Sequence, residues 1–151
     1  MTGFKVRFVT PEDKPDWRPL FDGYADFYGV SMDAATADRV WTWLLDPRHV
    51  LEGLIAREGG GAAVGIAHVR ACPRPLGGRD MGFLDDLFVA PQSRGTGVAD
   101  ALFEALEQLA GDRGWPVLRW VTQDFNERGR AFYDRYTGGP SDFIMYQWRL
   151  T

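Results

Sequence analysis

The chain has 151 residues, 45% apolar and 25% charged, which fits one globular domain able to bury roughly 70% of its unfolded surface. Its formal net charge of −4 disfavours a nucleic-acid groove and favours a cationic small partner. One cysteine, Cys72, excludes an internal disulfide and fits a reducing, cytoplasmic setting, while two distant histidines, His49 and His68, offer no metal cluster.

The first ten residues lack the apolar core and cleavage site of a signal peptide, and no apolar run approaches the ~20 residues needed to span a bilayer. Phe4–Val9 alternates and predicts a half-buried strand. Thr10, Pro11 and Asp13 read as a helix start, and the helix is expected to break near Pro19 and run to Tyr28. Asp33 should open a second helix, with Val40, Trp41, Leu44 and Leu45 on one side and Asp46-Pro47 as its stop. Leu51–Glu58 and Ala63–Arg70 read as strands around a triple-glycine turn, and Cys72–Asp80 as a loop.

Phe83–Val89 is an apolar strand interrupted by Asp85 and Asp86, which alternation would send to opposite faces. Pro91 ends it, and Gln92-Ser93-Arg94-Gly95-Thr96-Gly97 follows. Val98, Leu102, Ala105, Leu106 and Leu109 then recur at helical spacing, with Gly111 and Gly114 as the end signal. A Gly-rich turn opening a helix collects free N–H groups and the positive end of a dipole, which suits a phosphate; Arg94 adds a fixed charge. A P-loop is excluded, because Gly97-Val98-Ala99 lacks the lysine and the hydroxyl. A dinucleotide fingerprint needs glycine where Asp100 stands. A strand over Val117–Thr122, a short helix over Asn126–Tyr136 and a last strand over Phe143–Leu150 complete the order β, α, α, β, β, β, α, β, α, β. The three adjacent strands predict an antiparallel meander, and the strand–helix–strand unit a right-handed parallel crossover. The expected fold class is α/β, a mixed sheet with helices on both faces.

Gln92-x-x-Gly95-x-Gly97, with its Val89-Ala90-Pro91 lead-in, resembles the loop of GCN5-related N-acetyltransferases (the GNAT superfamily). Asn126-Glu127-Arg128-Gly129-Arg130-Ala131-Phe132-Tyr133 resembles that family's second segment, with Asn and Tyr seven residues, about two helical turns, apart. The element order is also the family's. The resemblance implies a single acetyltransferase domain that moves an acetyl group directly from acetyl-CoA to an amine, without a metal. It covers Phe83–Leu150 well and the first half in element order only. Within the family, Phe83–Val89 is most similar to the diamine (spermidine/spermine-type) acetyltransferases, with Asp85 in place of their Glu. A bridging water would restore the shortened reach.

By resemblance, Val89 binds pantetheine through its backbone, and Gln92, Arg94, Gly95, Thr96, Gly97 and Val98 cradle the pyrophosphate. Asn126 lies along the pantetheine arm or the start of the adenosine side, and Tyr133 beside the sulfur as general acid. A backbone N–H at Leu87 or Phe88 is the expected donor to the thioester oxygen. Asp85 is expected as base or water-orienting group, with Asp86 as its electrostatic companion. An alkylamine with pKa near ~10.4 costs about 4–5 kcal/mol to deprotonate at pH 7, so the base should matter more than the acid. Tyr24, Tyr28, Trp41 and Trp43 are aromatic candidates for the acceptor pocket, and Asp22, Asp26 and Asp33 for a second ammonium. The expected partners are acetyl-CoA and a small amine, with no nucleic acid and no membrane; the resemblance implies a homodimer. An amino acid, peptide N-terminus or aminoglycoside acceptor, or a non-catalytic acyl-CoA-binding module, stands as the alternative.

Overall fold

The computed structural model describes residues 3–151, which form two compact units, one ending at Trp120 and one over Val121–Thr151. In the first unit, β1 (Phe4–Phe8), β2 (Leu51–Glu58), β3 (Ala63–Arg74), β4 (Arg79–Val89) and β5 (Leu118–Arg119) form a sheet in that order. The first four strands are antiparallel neighbours and β5 joins β4 in parallel, as the meander and the crossover predict.

Helices α1 (Lys14–Phe27) and α2 (Ala34–Leu45) cover one face of the sheet and α3 (Val98–Arg113) the other. The parity of β3 shows the division. His68 meets Trp17 of α1, whereas Gly65 lies under Val98 and Leu102 of α3. Trp17, Leu20, Phe21, Trp41, Ile55, Ile66 and Phe88 close the core on the α1 side. Asp33 caps α2, its carboxylate accepting from Thr36 N at 2.7 Å.

Several boundaries differ from expectation. Pro19 does not break α1; the carbonyl it deprives is that of Pro15 in the first turn, and burial of Trp17, Leu20 and Phe21 holds the helix. Of Cys72–Asp80, only residues 75–78 form a turn; the rest is strand. The β3–β4 ladder continues through Cys72↔Met81 to Arg74↔Arg79, and Pro73 is tolerated because β2 stops pairing at Arg70 and leaves β3 an edge there. Helix α3 runs through Gly111 to Arg113, since an internal glycine costs only about 1 kcal/mol and Leu106 and Leu109 are buried. β5 keeps two residues of the predicted six, because only Gly82↔Leu118 and Phe83↔Arg119 pair.

In the second unit, α4 (Glu127–Thr137) forms as predicted within one residue. The strand expected over 143–150 is absent: the segment is irregular, and its apolar side chains are exposed. Among the described residues, no helix is long and apolar enough to cross a membrane.

Candidate active site

The site is built around a bulge in β4. His68 pairs with Asp86 and Val69 with Leu84, so Asp85 is the extra residue. The bulge overturns the alternation argument. His68 and Arg70, two apart on β3, share a face, and each holds one of the two carboxylates: Arg70 Nε donates to Asp85 at 2.8 Å, and His68 Nδ1 lies 2.7 Å from Asp86. Both acids therefore sit on the face that α1 covers, not on opposite faces.

Their environments differ. Asp85 is ion-paired, and the Arg70 guanidinium also lies over the Phe83 ring at 4.7 Å. Asp86 makes no ion pair with any lysine or arginine among the described residues and is mostly buried. Burial disfavours its charge, but hydrogen bonds from His68 and Tyr24 outweigh burial and hold its carboxyl below the usual range. Burial, then the Asp86 charge, pushes the Tyr24 phenol far above its ordinary value, so Tyr24 stays a neutral donor. Its hydroxyl also lies 3.4 Å from the Asp85 carbonyl oxygen.

β4 and β5 part after Phe83↔Arg119, so the edge of β4 from Leu84 onward has no strand partner among the described residues. Ala90 N donates to Val64 O of β3. Backbone direction alternates along a strand, so the N–H of Phe88 also faces β3, while those of Leu87 and Val89 face the open edge. Of the two expected oxyanion donors, Leu87 is the one on that edge. Phe88 instead buries its ring against Tyr24 at 6.4 Å. The Val89 carbonyl accepts from Arg94 Nε at 3.3 Å, and the Arg94 guanidinium lies 5.5 Å from the Phe88 ring centre.

The loop before α3 is shaped by its own bonds. Ser93 N donates to Ala90 O, and the Thr96 hydroxyl donates to the carbonyl of buried Ser93. Gly95 and Gly97 have φ of 78° and 101°, left-handed values that bar other residues at low cost. A Cβ at Gly95 would meet nothing within 4 Å, so the concave side is open space. Val98 and Ala99 follow in the first helical turn, where N–H groups have no carbonyl four residues back. This fits a pyrophosphate: backbone donors, a dipole, and Arg94 and Gln92 exposed beside them.

Asn126 and Tyr133 stand in the second unit. Asn126 is the N-cap of α4, accepting from Gly129 N at 3.2 Å and donating to Thr122 Oγ1 at 3.0 Å. It lies outside the helical repeat, so the two-turn spacing argument does not apply strictly. Tyr133 is half-buried on α4 with its ring 5.9 Å from that of Phe132. Of the aromatic candidates, Tyr24 and Tyr28 pack together at 5.0 Å, whereas Trp41 is core against Trp17 and Trp43 stacks on His49. Asp22 is paired with Arg18 and Asp33 is a cap. Sequence reasoning missed His68 and Arg70. Their only signal was polarity at alternate positions of an otherwise apolar strand.

Residues 17–138 match the model of the Acetyltransferase (GNAT) family. The chain is 27% identical over 143 residues to a D-amino-acid N-acetyltransferase of Saccharomyces cerevisiae, covering 94% of this chain and 88% of that one. It is 39% identical to a thialysine N-epsilon-acetyltransferase of Caenorhabditis elegans over 51 residues, 34% of this chain and 32% of that one. The crystal structure of a ribosomal-protein-alanine N-acetyltransferase from Brucella melitensis superposes with a TM-score of 0.81 at 27% identity, covering 97% and 99% of the two chains. An aminoglycoside N-acetyltransferase in complex with CoA shares the fold, with a TM-score of 0.81 at 17% identity over 98% and 95% of the chains. Among the described residues, no group of three or more His, Cys, Asp or Glu side chains is arranged to hold a metal ion.

Proposed function

The chain belongs to the Acetyltransferase (GNAT) family and is an acyl-CoA-dependent N-acetyltransferase, and on that premise we propose that it acetylates the primary amine of a small molecule by direct transfer from acetyl-CoA. The amine nitrogen forms the new bond to the acetyl carbon, and the C–S bond breaks. The sulfur takes up one proton, and the ammonium gives up its protons to water or to a nearby base. The observation that carries this reading is Asp86. It is held ionised, carries no neutralising lysine or arginine among the described residues, and lies one residue from the open-edge N–H of Leu87. A carboxylate there suits an ammonium that must be gathered and then deprotonated beside an oxyanion donor.

In this reading Leu87 N–H receives the acyl oxygen, and Val89 N–H meets the pantetheine arm. Gln92, Arg94, Gly95, Thr96, Gly97 and Val98 hold the pyrophosphate. Asn126 and Tyr133 keep the roles that their segment's resemblance implies, Tyr133 as proton donor to the sulfur. Asp86, not Asp85, is the acceptor-facing acid, because Arg70 already neutralises Asp85.

An amino acid is the first acceptor class. The yeast and nematode relatives are named for a D-amino acid and for thialysine. A diamine or polyamine is the second, favoured by two carboxylates on one face. Thiol release from acetyl-CoA, measured against D- and L-amino acids, lysine, diamines, polyamines and an aminoglycoside, tests both. Turnover confined to amino acids supports the first reading, and turnover confined to diamines or polyamines the second. No turnover with any amine refutes the small-molecule acceptor. In the same assay Tyr133→Phe should lower kcat about tenfold with the acetyl-CoA KM unchanged; a kcat within twofold of the parent removes Tyr133 as the acid.

A further inference from the structure

The most buried ionisable side chain on the α1 face beside Asp86 is a histidine to which the reaction above gives no part. His68 is 1% exposed, in the middle of β3, directly across the ladder from Asp86. Both of its ring nitrogens are engaged. Trp17 Nε1 donates to Nε2 at 3.0 Å, and Nδ1 lies 2.7 Å from an oxygen of Asp86. An indole N–H can only donate, so Nε2 must offer its lone pair. The ring is therefore the neutral Nδ1–H tautomer, and its one proton points at the carboxylate.

The surrounding groups leave that proton nowhere else to go. Trp17 is fully buried and wedged between Phe21 and Trp41, with ring centres 4.8 and 4.9 Å away. Phe21 meets the imidazole edge-on at 5.4 Å. Tyr24 approaches Asp86 from α1, and Arg70 on β3 is taken by Asp85. A histidine serving only the core would need no more than a backbone partner. This one spends its donor on a side chain that is a quarter exposed.

We infer that His68, locked as one tautomer by Trp17, is a positioning residue that fixes the Asp86 carboxylate for the acceptor ammonium. Trp17, His68 and Asp86 form a chain running from the core to the site, in which each member sets the hydrogen-bond role of the next. The inference rests on the proposed reaction for what Asp86 does, but the geometry of the chain stands apart from it. Neither Trp17 nor His68 touches the substrate. Their effect passes through the carboxylate, so it should fall on the acceptor and spare acetyl-CoA.

The test compares four proteins by steady-state kinetics and by NMR of the histidine ring: the parent, His68→Leu, His68→Asn and Trp17→Phe. Leucine fills the space without a donor; asparagine can place an amide N–H near the position of Nδ1. With the best amine of the panel, His68→Leu should raise the acceptor KM tenfold or more and leave the acetyl-CoA KM within twofold. His68→Asn should recover most of that loss. Nitrogen-coupled spectra of the parent should show the Nδ1–H tautomer, and Trp17→Phe, which removes the donor to Nε2, should shift the Nε2 resonance. Equal loss in the leucine and asparagine variants, or an equal rise in both KM values, overturns the inference. An Nε2–H tautomer in the parent overturns it as well, even if His68→Leu fails to fold. The tautomer is read without any acceptor, so failure of the amine panel leaves it decisive.

Discussion

At Asp85 the carboxylate is neutralised by an arginine; at Asp86, one residue on, it accepts hydrogen bonds from His68 and Tyr24 instead. A neutral donor stabilises a carboxylate without cancelling its charge, so Asp86 keeps an outward field for a cation. Asp86→Asn should therefore lower kcat/KM for the acceptor about a hundredfold, near 2.7 kcal/mol of transition-state stabilisation. Asp85→Asn should cost less than tenfold and act through Arg70. Acceptor kinetics on the two variants decide between them, and the reverse ranking would return the base to Asp85. Chain position could not rank them, because both are acids in one apolar run.

The bulge and the glycine loop act at the scale of elements. One extra residue in β4 turns two adjacent acids to one face, and the early departure of β5 opens the edge on which Leu87 and Val89 present their N–H groups. The loop then directs the start of α3 at the place where a phosphate would lie. Gly97, with φ of 101°, is the N-cap residue of that helix. Gly97→Val should destabilise the fold by roughly 1–3 kcal/mol through backbone strain, lowering the melting temperature by several degrees. The same variant should raise the KM for acetyl-CoA tenfold or more, since the strained turn would re-aim the first-turn donors. An acetyl-CoA KM unchanged in a folded variant would show that the loop is only a turn.

Across the whole molecule, stability should form a plateau bounded by particular groups. Asp13 is buried, with Arg7 at 2.6 and 2.9 Å, Arg57 at 2.7 Å and the Thr10 N–H at 2.8 Å. The Arg7 hydrogen bond, against burial, holds its carboxyl well below the usual range. A depressed folded pKa gives stability that is present above the unfolded value near ~3.9 and is lost as pH falls through the folded one. Asp86 adds to the same acid limb. Tyr24 has the opposite sign: its raised value removes stability as pH climbs past the unfolded value near ~10. Melting temperatures should thus hold between about pH 5 and 9 and fall on both sides. Asp13→Asn should cost about 2 kcal/mol at pH 7, because it weakens the hydrogen bonds of a buried carboxylate to two partly exposed arginines. The gap to the parent should narrow as the pH drops towards 2; a gap independent of pH would refute the assignment.

Much of this protein is legible in one dimension. Periodicity placed β1, β2 and the helices to within a few residues, because the face of an element that is buried must be apolar at that element's own repeat. Gln92-x-x-Gly95-x-Gly97 and the Asn126–Tyr133 segment identified the family, because a loop that approaches a ligand through its backbone tolerates few side chains. What alternation could not foresee was the bulge at Asp85, since an extra residue is defined only against the partner strand. Pairing likewise decided the length of β3 and β4 and the shortness of β5. The Trp17–His68–Asp86 chain joins residues 51 and 18 positions apart. Each of the three reads as ordinary in sequence, and only packing gives the imidazole two partners and thereby one tautomer.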